Sequence, residues 1–226
     1  MGQMVDLDLR SRTLAACFSG IAGFVDVVGF LMTGGFFVSF MSGNSTRLGI
    51  GLAGQTSTAL IAAGLILTFI TGVVAGASVG RIARPFKEPA ILALVTALLS
   101  LPFVMRWLGL GNWAVIPLAL AMGAQNTVFA GDGEVRVGLT YMTGTLVKLG
   151  KRLTVSLWGG PRFGWVPYLI LWLGLLAGAV LGGVTYAQFG ANALALPVLA
   201  MLALTGVSAA HARSARGRFQ ARVDVP

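Results

Sequence analysis

Five stretches of this chain, residues 59–80, 89–105, 113–131, 165–190 and 191–210, contain no charged side chain. About 20 apolar residues, and as few as about 17, carry a helix across the hydrocarbon core of a bilayer, where backbone polar groups must be satisfied internally. A sixth stretch, 13–33, meets the same requirement with one acid inside it, Asp26. Only 10% of the 226 residues are charged and 56% are apolar, with a mean hydropathy of +0.86. A soluble domain carries about 25% charged residues, so soluble enzymes, disordered tails and disulfide scaffolds are excluded as classes. Lys and Arg exceed Asp and Glu by 16 to 7, a formal charge of +9. In a water-soluble chain that balance points to nucleic acid. In a membrane chain it reads as cation-rich cytoplasmic loops, and no nucleic-acid partner is expected.

Two further stretches are apolar enough to enter a membrane and too polar to cross it as simple lipid-facing helices. Residues 36–54 hold Arg47, and 138–157 hold Lys148, Lys151 and Arg152; both are rich in Gly, Ser, Thr or Asn. The single cysteine, Cys17, permits no disulfide within the chain. It follows Leu14-Ala15-Ala16, a lipoprotein-like box, but Asp6, Asp8, Arg10 and Arg12 stand where a signal peptide's apolar stretch would lie. Cys17 is therefore expected to be a buried residue of a retained first span.

The chain is written twice. Met41-Ser42-Gly43-Asn44-Ser45-Thr46-Arg47-Leu48-Gly49 aligns with Met142-Thr143-Gly144-Thr145-Leu146-Val147-Lys148-Leu149-Gly150 at an offset of 101. Upstream, Gly23-Phe24-Val25-Asp26 aligns with Gly123-Ala124-Gln125-Asn126 at an offset of 100, and downstream Gly72, Gly76 and Gly80 align with Gly174, Gly178 and Gly182 at 102. A single membrane domain over 1–226 is expected, with a first repeat at 13–110, a second at 113–211 and a basic cytoplasmic tail at 212–226.

Positive charge decides how the polar elements behave. If all eight apolar elements cross, ten cations fall inside and four outside; if the second element of each half turns back on the side it entered, thirteen fall inside and only Arg106 outside. The second arrangement satisfies the positive-inside rule far better. It gives each half three crossings, so the halves have opposite topology. The expected fold is thus an all-helical polytopic membrane protein with six crossings and two re-entrant or broken helices, both termini cytoplasmic, in the manner of inverted-repeat transporters.

Non-helical backbone at membrane depth must be buried by protein or line a wet cavity. The expected binding site lies where Ser42, Gly43, Asn44, Thr46 and Arg47 meet Thr143, Gly144, Thr145 and Lys148, near Asp26, Gln125 and Asn126. Ser, Thr and Asn are good N-caps, so a short helix starting near Asn44 and its counterpart near Thr145 would point positive dipole ends at a small polar or anionic solute. Arg47 is costly in a bilayer unless it faces the interior or pairs with an acid, and Asp26 is the natural partner. The glycine stripes of 72–80 and 174–182 are suited to close helix packing, including a homodimer seam. The chain shows no Gly-rich phosphate loop with Lys-Ser/Thr, no His pair at metal spacing, no nucleophile elbow and no paired carboxylates. Catalysis, cofactors and metals are not expected.

The segments Gly23-Phe24-Val25-Asp26, Gly29-Phe30, Phe37-Val38-Ser39-Phe40-Met41-Ser42-Gly43-Asn44-Ser45-Thr46-Arg47-Leu48-Gly49 and Gly123-Ala124-Gln125-Asn126 resemble the YoaK-like family of bacterial inner-membrane proteins. Ser42 stands where that family usually has Thr. The resemblance implies an inner-membrane location and importance for Asp26, Gly43, Asn44 and Arg47, and it supplies no activity. The expected function is a permease or channel for a small polar or anionic solute; the rival is a non-transporting assembly partner or sensor whose polar residues only hold helices together.

Overall fold

The computed structural model describes residues 9–129 and 140–223 and is all-helical over them. The helices are α1 (Leu9–Met32), α2 (Met41–Leu52), α3 (Thr56–Ile82), α4 (Lys87–Trp107), α5 (Val115–Gln125), α6 (Met142–Leu157), α7 (Val166–Phe189) and α8 (Ala195–Val223), with 3-10 turns at Gly111–Trp113 and Gly190–Leu194. Four stretches are long and apolar enough to cross a membrane: Ser11–Met32, Thr56–Ile82, Lys87–Trp107 and Val166–Ser214. The last runs 49 residues, more than twice what one crossing needs. Gly190, at φ +56°, ends α7 there, so the stretch holds two helices, α7 and α8. The outer faces are apolar: Leu60, Leu67 and Val74, spaced two turns apart on α3, are 69%, 64% and 60% exposed. Asp26, Asn44, Gln125, Asn126 and Thr145 are buried. Leu and Val outside with amides and a carboxylate inside is what lipid as solvent demands.

Three helices are shorter than one crossing. α2 has 12 residues, about 18 Å at 1.5 Å per residue, against about 30 Å of hydrocarbon. α6 has 16. α5 has 11 and ends at Gln125, followed by turns through Phe129, where the sequence predicts a span running to 131. The helix stops because local bonds outcompete it. The Thr127 and Val128 N–H groups donate to Ala124 and Gln125 carbonyls (3.0 and 3.2 Å), three residues back. The Asn126 amide and Thr127 hydroxyl also donate to the Met122 and Ala124 carbonyls (2.9 and 2.7 Å). Side chains that bind the neighbouring backbone favour turns over helix.

The chain divides into two compact units, Met1–Leu67 with Phe129–Leu194 and Thr68–Val128 with Ala195–Pro226. Each draws on both halves of the sequence, so the division does not follow the repeat boundary at 110–113. In the first unit the glycine stripe of α7 meets α1: a Cβ on Gly174 would lie 2.9 Å from the Ala16 carbonyl, Gly178 lies against the Gly20 carbonyl, and a Cβ on Gly182 would lie 2.7 Å from the Phe24 carbonyl. Contact residues advance together on both helices, so α1 and α7 run parallel. In the second unit α3 meets α5 in the same way, Gly72 against Leu120 and Gly76 against Ala124, also parallel. Both stripes therefore pack against helices of the same chain. In the same unit α4 packs on α8. Ser208 donates to Glu88 (2.6 Å) and the Thr96 and Thr205 hydroxyls meet at 3.2 Å. Advancing along α4 thus means retreating along α8, and this pair is antiparallel. Cys17, expected to be buried, is exposed: Ala16, Gly20 and Phe24 take the α7 face, and Cys17 lies about 100° round the helix from Ala16.

Candidate functional site

The site is built on the return of the chain after α1. Gly34 and Gly35 take φ of +67° and +122°, a left-handed region that side chains rarely tolerate. Gly35 has a second constraint, because a Cβ there would lie 2.6 Å from the Arg47 guanidinium. Thr33 fastens the turn: its hydroxyl donates to the Gly29 carbonyl (2.8 Å) and accepts the Phe36 N–H (3.0 Å).

From Phe36 the backbone runs without helix down the side of α1. Val38 fills the space left by Gly29, whose Cβ would lie 2.7 Å from Val38 Cγ1. The Val38 and Ser39 N–H groups donate to Asp26 Oδ1 at 2.9 and 2.7 Å. Thr33, Gly29 and Asp26 are thus met in turn by Phe36, Val38 and Ser39, and seven residues of α1 correspond to about 10 Å of descent. Asp26 and Ser39 are both buried.

The chain then reverses. Phe40 sits at φ −86°, ψ 76°, with the Met41 N–H donating to the Ser39 carbonyl (3.1 Å), an inverse γ-turn. α2 begins at Met41, and its contacts climb back along the limb that descended. The Asn44 side chain holds Phe37 at both ends, accepting its N–H (3.0 Å) and donating to its carbonyl (2.7 Å). A Cβ on Gly43 would lie 2.6 Å from the Phe37 ring, and the Arg47 guanidinium carbon stands 4.8 Å over the Phe36 ring. Phe30, Phe37 and Phe40 stack in sequence, with centroids 4.8 and 5.8 Å apart. Residues 33–52 therefore form a hairpin of one extended limb and one short helix, folded back on α1.

Two expectations are corrected by this geometry. The helix starts at Met41 rather than near Asn44, with no side-chain cap at Phe40; Asn44 is already committed to Phe37 and cannot serve as an N-cap. Asp26 does not pair with Arg47. Its carboxylate is taken up by backbone N–H groups, and the guanidinium lies over an aromatic ring. Arg47 is half-buried and Ser42, Ser45 and Thr46 are exposed, so α2 turns a hydroxyl face outward. The Ser45 and Thr46 hydroxyls donate to the carbonyls four residues back (2.8 and 3.2 Å).

The second polar helix begins with the same backbone motif. Tyr141 has φ −83°, ψ 59°, and the Met142 N–H donates to the Thr140 carbonyl at 2.9 Å. The offset is again 101, and the likeness reaches back to Ser39-Phe40 and Thr140-Tyr141 (hydroxyl then aromatic), the two positions before Met41 and Met142. Thr145 is buried, its hydroxyl on the Tyr141 carbonyl (3.2 Å); Thr143 and Gly144 are exposed and Lys148 is half-buried. α6 packs on α7. The limb that would precede α6 includes residues 130–139, outside the described residues. Gln125 and Asn126 are buried in the other unit. The structure thus brings Asp26, Gly43, Asn44 and Arg47 together around one hairpin. It adds Gly29, Phe36, Phe37, Val38 and Ser39; all but Phe36 stand in the segments that carry the family resemblance, but no role followed from them there. No group of three His, Cys, Asp or Glu side chains that could hold a metal ion occurs among the described residues.

Asn44→Ala is expected to leave the Phe37 N–H and carbonyl unmet, costing about 1–3 kcal/mol. Thermal melting of the detergent-solubilised protein checks it, and Ser45→Ala serves as a control with an effect within about 0.5 kcal/mol.

Comparison with known proteins finds a family over most of the chain: that described as "Protein of unknown function (DUF1275)" matches residues 14–207. The chain is also similar to a UPF0700 transmembrane protein of Rhizobium meliloti (strain 1021), 36% identical over 207 residues that cover 91% of this chain and 89% of the relative. No solved structure matches.

Proposed function

We propose that this chain, which belongs to the DUF1275 family of membrane proteins, is a permease for a small polar or anionic solute whose path runs past the hairpin of residues 33–52. One observation carries the proposal. A carboxylate inside a candidate span, with backbone N–H groups and, among the described residues, no cation against it, holds about 10 Å of non-helical chain alongside its own helix. Intramembrane acids are rare and mark ion or solute pathways by default, and non-helical backbone at depth goes with protein burial or a water-lined cavity.

The solute contact is the outward face of α2. Ser42, Ser45 and Thr46 are exposed there, and Arg47 beside them keeps guanidinium donors that no carboxylate among the described residues takes. Asp26 already occupies the N–H groups that lead into α2, so anion capture at that helix start has no support and Arg47 becomes the anion-facing group. Lys148, at the equivalent position of α6, is the second. Asn44 is a positioning residue.

The protein lies in the bacterial inner membrane as an inverted duplication with cytoplasmic termini and six crossings, of which the fifth element crosses as α5 together with the 3-10 turn before it and the turns after it, residues 111–129. The helix directions support this. The first element of each half pairs in parallel with the third element of the other, α1 with α7 and α5 with α3, and the fourth elements, α4 and α8, pair antiparallel. Eight alternating crossings would make α4 and α8 parallel. Six crossings with two hairpins make them antiparallel and keep the other two pairs parallel. The shared γ-turn at Phe40 and Tyr141 supports the duplication independently.

The non-transporting alternative draws on Asn44 and Thr46, whose side chains are satisfied within the hairpin and helix. Flux separates the two. Proteoliposomes are challenged with a panel of small neutral solutes and monovalent anions, and osmotic swelling is followed by light scattering. The expected result is flux above protein-free vesicles, reduced at least about tenfold in Arg47→Ala with its melting temperature kept. Absence of flux from well-folded protein across the panel supports the alternative.

A further inference from the structure

We infer that the end of α6 and the loop after it, residues 151–165, form a binding site for an anionic phospholipid, with Lys151, Arg152 and Arg162 around its phosphate and Leu157, Trp158 and Phe163 against its acyl chains. The loop stands at a membrane surface, because a candidate span begins at Val166 directly after it. On α6, Lys151 and Arg152 stand three and four positions after Lys148, so the three cover one side of the helix. The two nearer the loop belong to this site. The Arg152 stem runs along the loop, its Cδ 3.8 Å from where a Gly164 Cβ would lie.

The loop is fixed by its own hydrogen bonds. Ser156 Oγ and the Trp165 indole N–H both donate to the Arg162 carbonyl, at 2.9 and 3.0 Å. The Gly160 N–H returns to the Val155 carbonyl (2.9 Å) and the Val166 N–H to the Phe163 carbonyl (3.2 Å). The Arg162 backbone is thus pinned by one side chain from α6 and another from the start of α7. Its own side chain is exposed, with the guanidinium carbon 5.8 Å from the Phe163 ring centroid. A guanidinium beside a ring keeps its fork of N–H donors for a phosphate.

Charge and polarity together name the occupant. The acids among the described residues are Asp26, which holds Val38 and Ser39, and Glu88, which lies in the other unit. Neighbouring cations without a counter-ion repel one another, and an anion relieves them. A free anion gives no reason for the apolar side chains set among them. Leu157 and Trp158 are 84% and 86% exposed, and Phe163 is exposed beside Arg162. An anion joined to hydrocarbon satisfies both sets at once. Lys and Arg grouped with Trp at a membrane surface is the chemistry that recognises a phospholipid of net negative charge.

Native mass spectrometry tests this on the full chain, released from micelles holding equal amounts of phosphatidylglycerol and phosphatidylcholine with the same acyl chains. Retained phosphatidylglycerol is expected to exceed phosphatidylcholine by at least about fivefold, the worth of one cation at an anionic surface. Lys151→Gln combined with Arg162→Gln, both at exposed positions, is expected to bring the ratio near one. Arg81→Gln combined with Arg213→Gln removes two exposed cations elsewhere and is expected to leave the ratio within about twofold of the parent's, since charges beyond a Debye length are screened. A parent ratio near one overturns the site. Equal losses in the two pairs would mean diffuse attraction to positive charge, and overturn it as well; so does an unchanged ratio in Lys151→Gln with Arg162→Gln. If that pair does not fold, Trp158 reports instead. In vesicles, phosphatidylglycerol brominated on its acyl chains is expected to quench the parent's tryptophan fluorescence more than brominated phosphatidylcholine does, and most of that excess is expected to vanish in Trp158→Phe. No excess in the parent, or an undiminished excess in Trp158→Phe, overturns the site. Neither experiment measures flux, so its outcome stands apart from that of the permease reading.

Discussion

Gly178→Val is expected to remove the folded protein from the membrane. Gly178 lies against the Gly20 carbonyl, in the middle of a contact that begins at Gly174 on Ala16 and continues to Gly182 on Phe24. The obstructing atoms are backbone, so no rotamer change relieves the clash and α7 must move bodily away from α1. Helices in lipid gain nothing from hydrophobic exclusion and are held by close van der Waals packing. Overpacking of this kind costs about 3 kcal/mol or more, a large part of the about 5–15 kcal/mol that holds a domain together. Gly183, one residue on, has only Val27 Cγ1 near its would-be Cβ, at 3.7 Å. Gly183→Ala is accordingly expected to be neutral, or stabilising by up to about 1 kcal/mol through helix propensity. Size-exclusion profiles of detergent extracts check both; equal profiles for the two variants would contradict the packing of α1 on α7.

Asp26→Ala carries the second large effect. It deletes the acceptor of two buried N–H groups, Val38 and Ser39. Each buried donor left unmet costs about 1–3 kcal/mol, so about 3 kcal/mol is expected, together with faster proteolysis within 33–40. Asp26→Asn retains an amide oxygen for the same donors and is expected to cost less than half as much. Thermal melts of the two variants in one detergent decide it. Equal losses would mean that the carboxylate does not hold the limb.

The long helices were legible because lipid enforces them. The absence of charge through 59–80, 89–105, 165–190 and 191–210 leaves helix as the economical backbone, and α3, α4, α7 and α8 cover those stretches. The shortness of α2 was legible too, from Arg47 and the small polar residues around it. The partner of Asp26 was not: charge alone suggested Arg47, whereas backbone N–H groups, which every residue except proline carries, took the carboxylate. The end of α5 depends on the Asn126 and Thr127 side chains folding onto the preceding turn, a local competition that an apolar count over 113–131 cannot register. The glycine stripes announced close packing without naming their partners, and α1 and α5 supply them.

The central claim is that 33–52 goes in and comes out on one face, leaving the two halves of opposite topology. In a Cys17→Ala background, Gln55→Cys, Arg81→Cys and Arg162→Cys place single thiols at exposed positions after the hairpin, at the end of α3 and before α7. With an impermeant maleimide, Gln55→Cys is predicted to react in intact cells, and Arg81→Cys and Arg162→Cys only after permeabilisation. Reaction of Arg81→Cys in intact cells, with Gln55→Cys protected, would contradict the account.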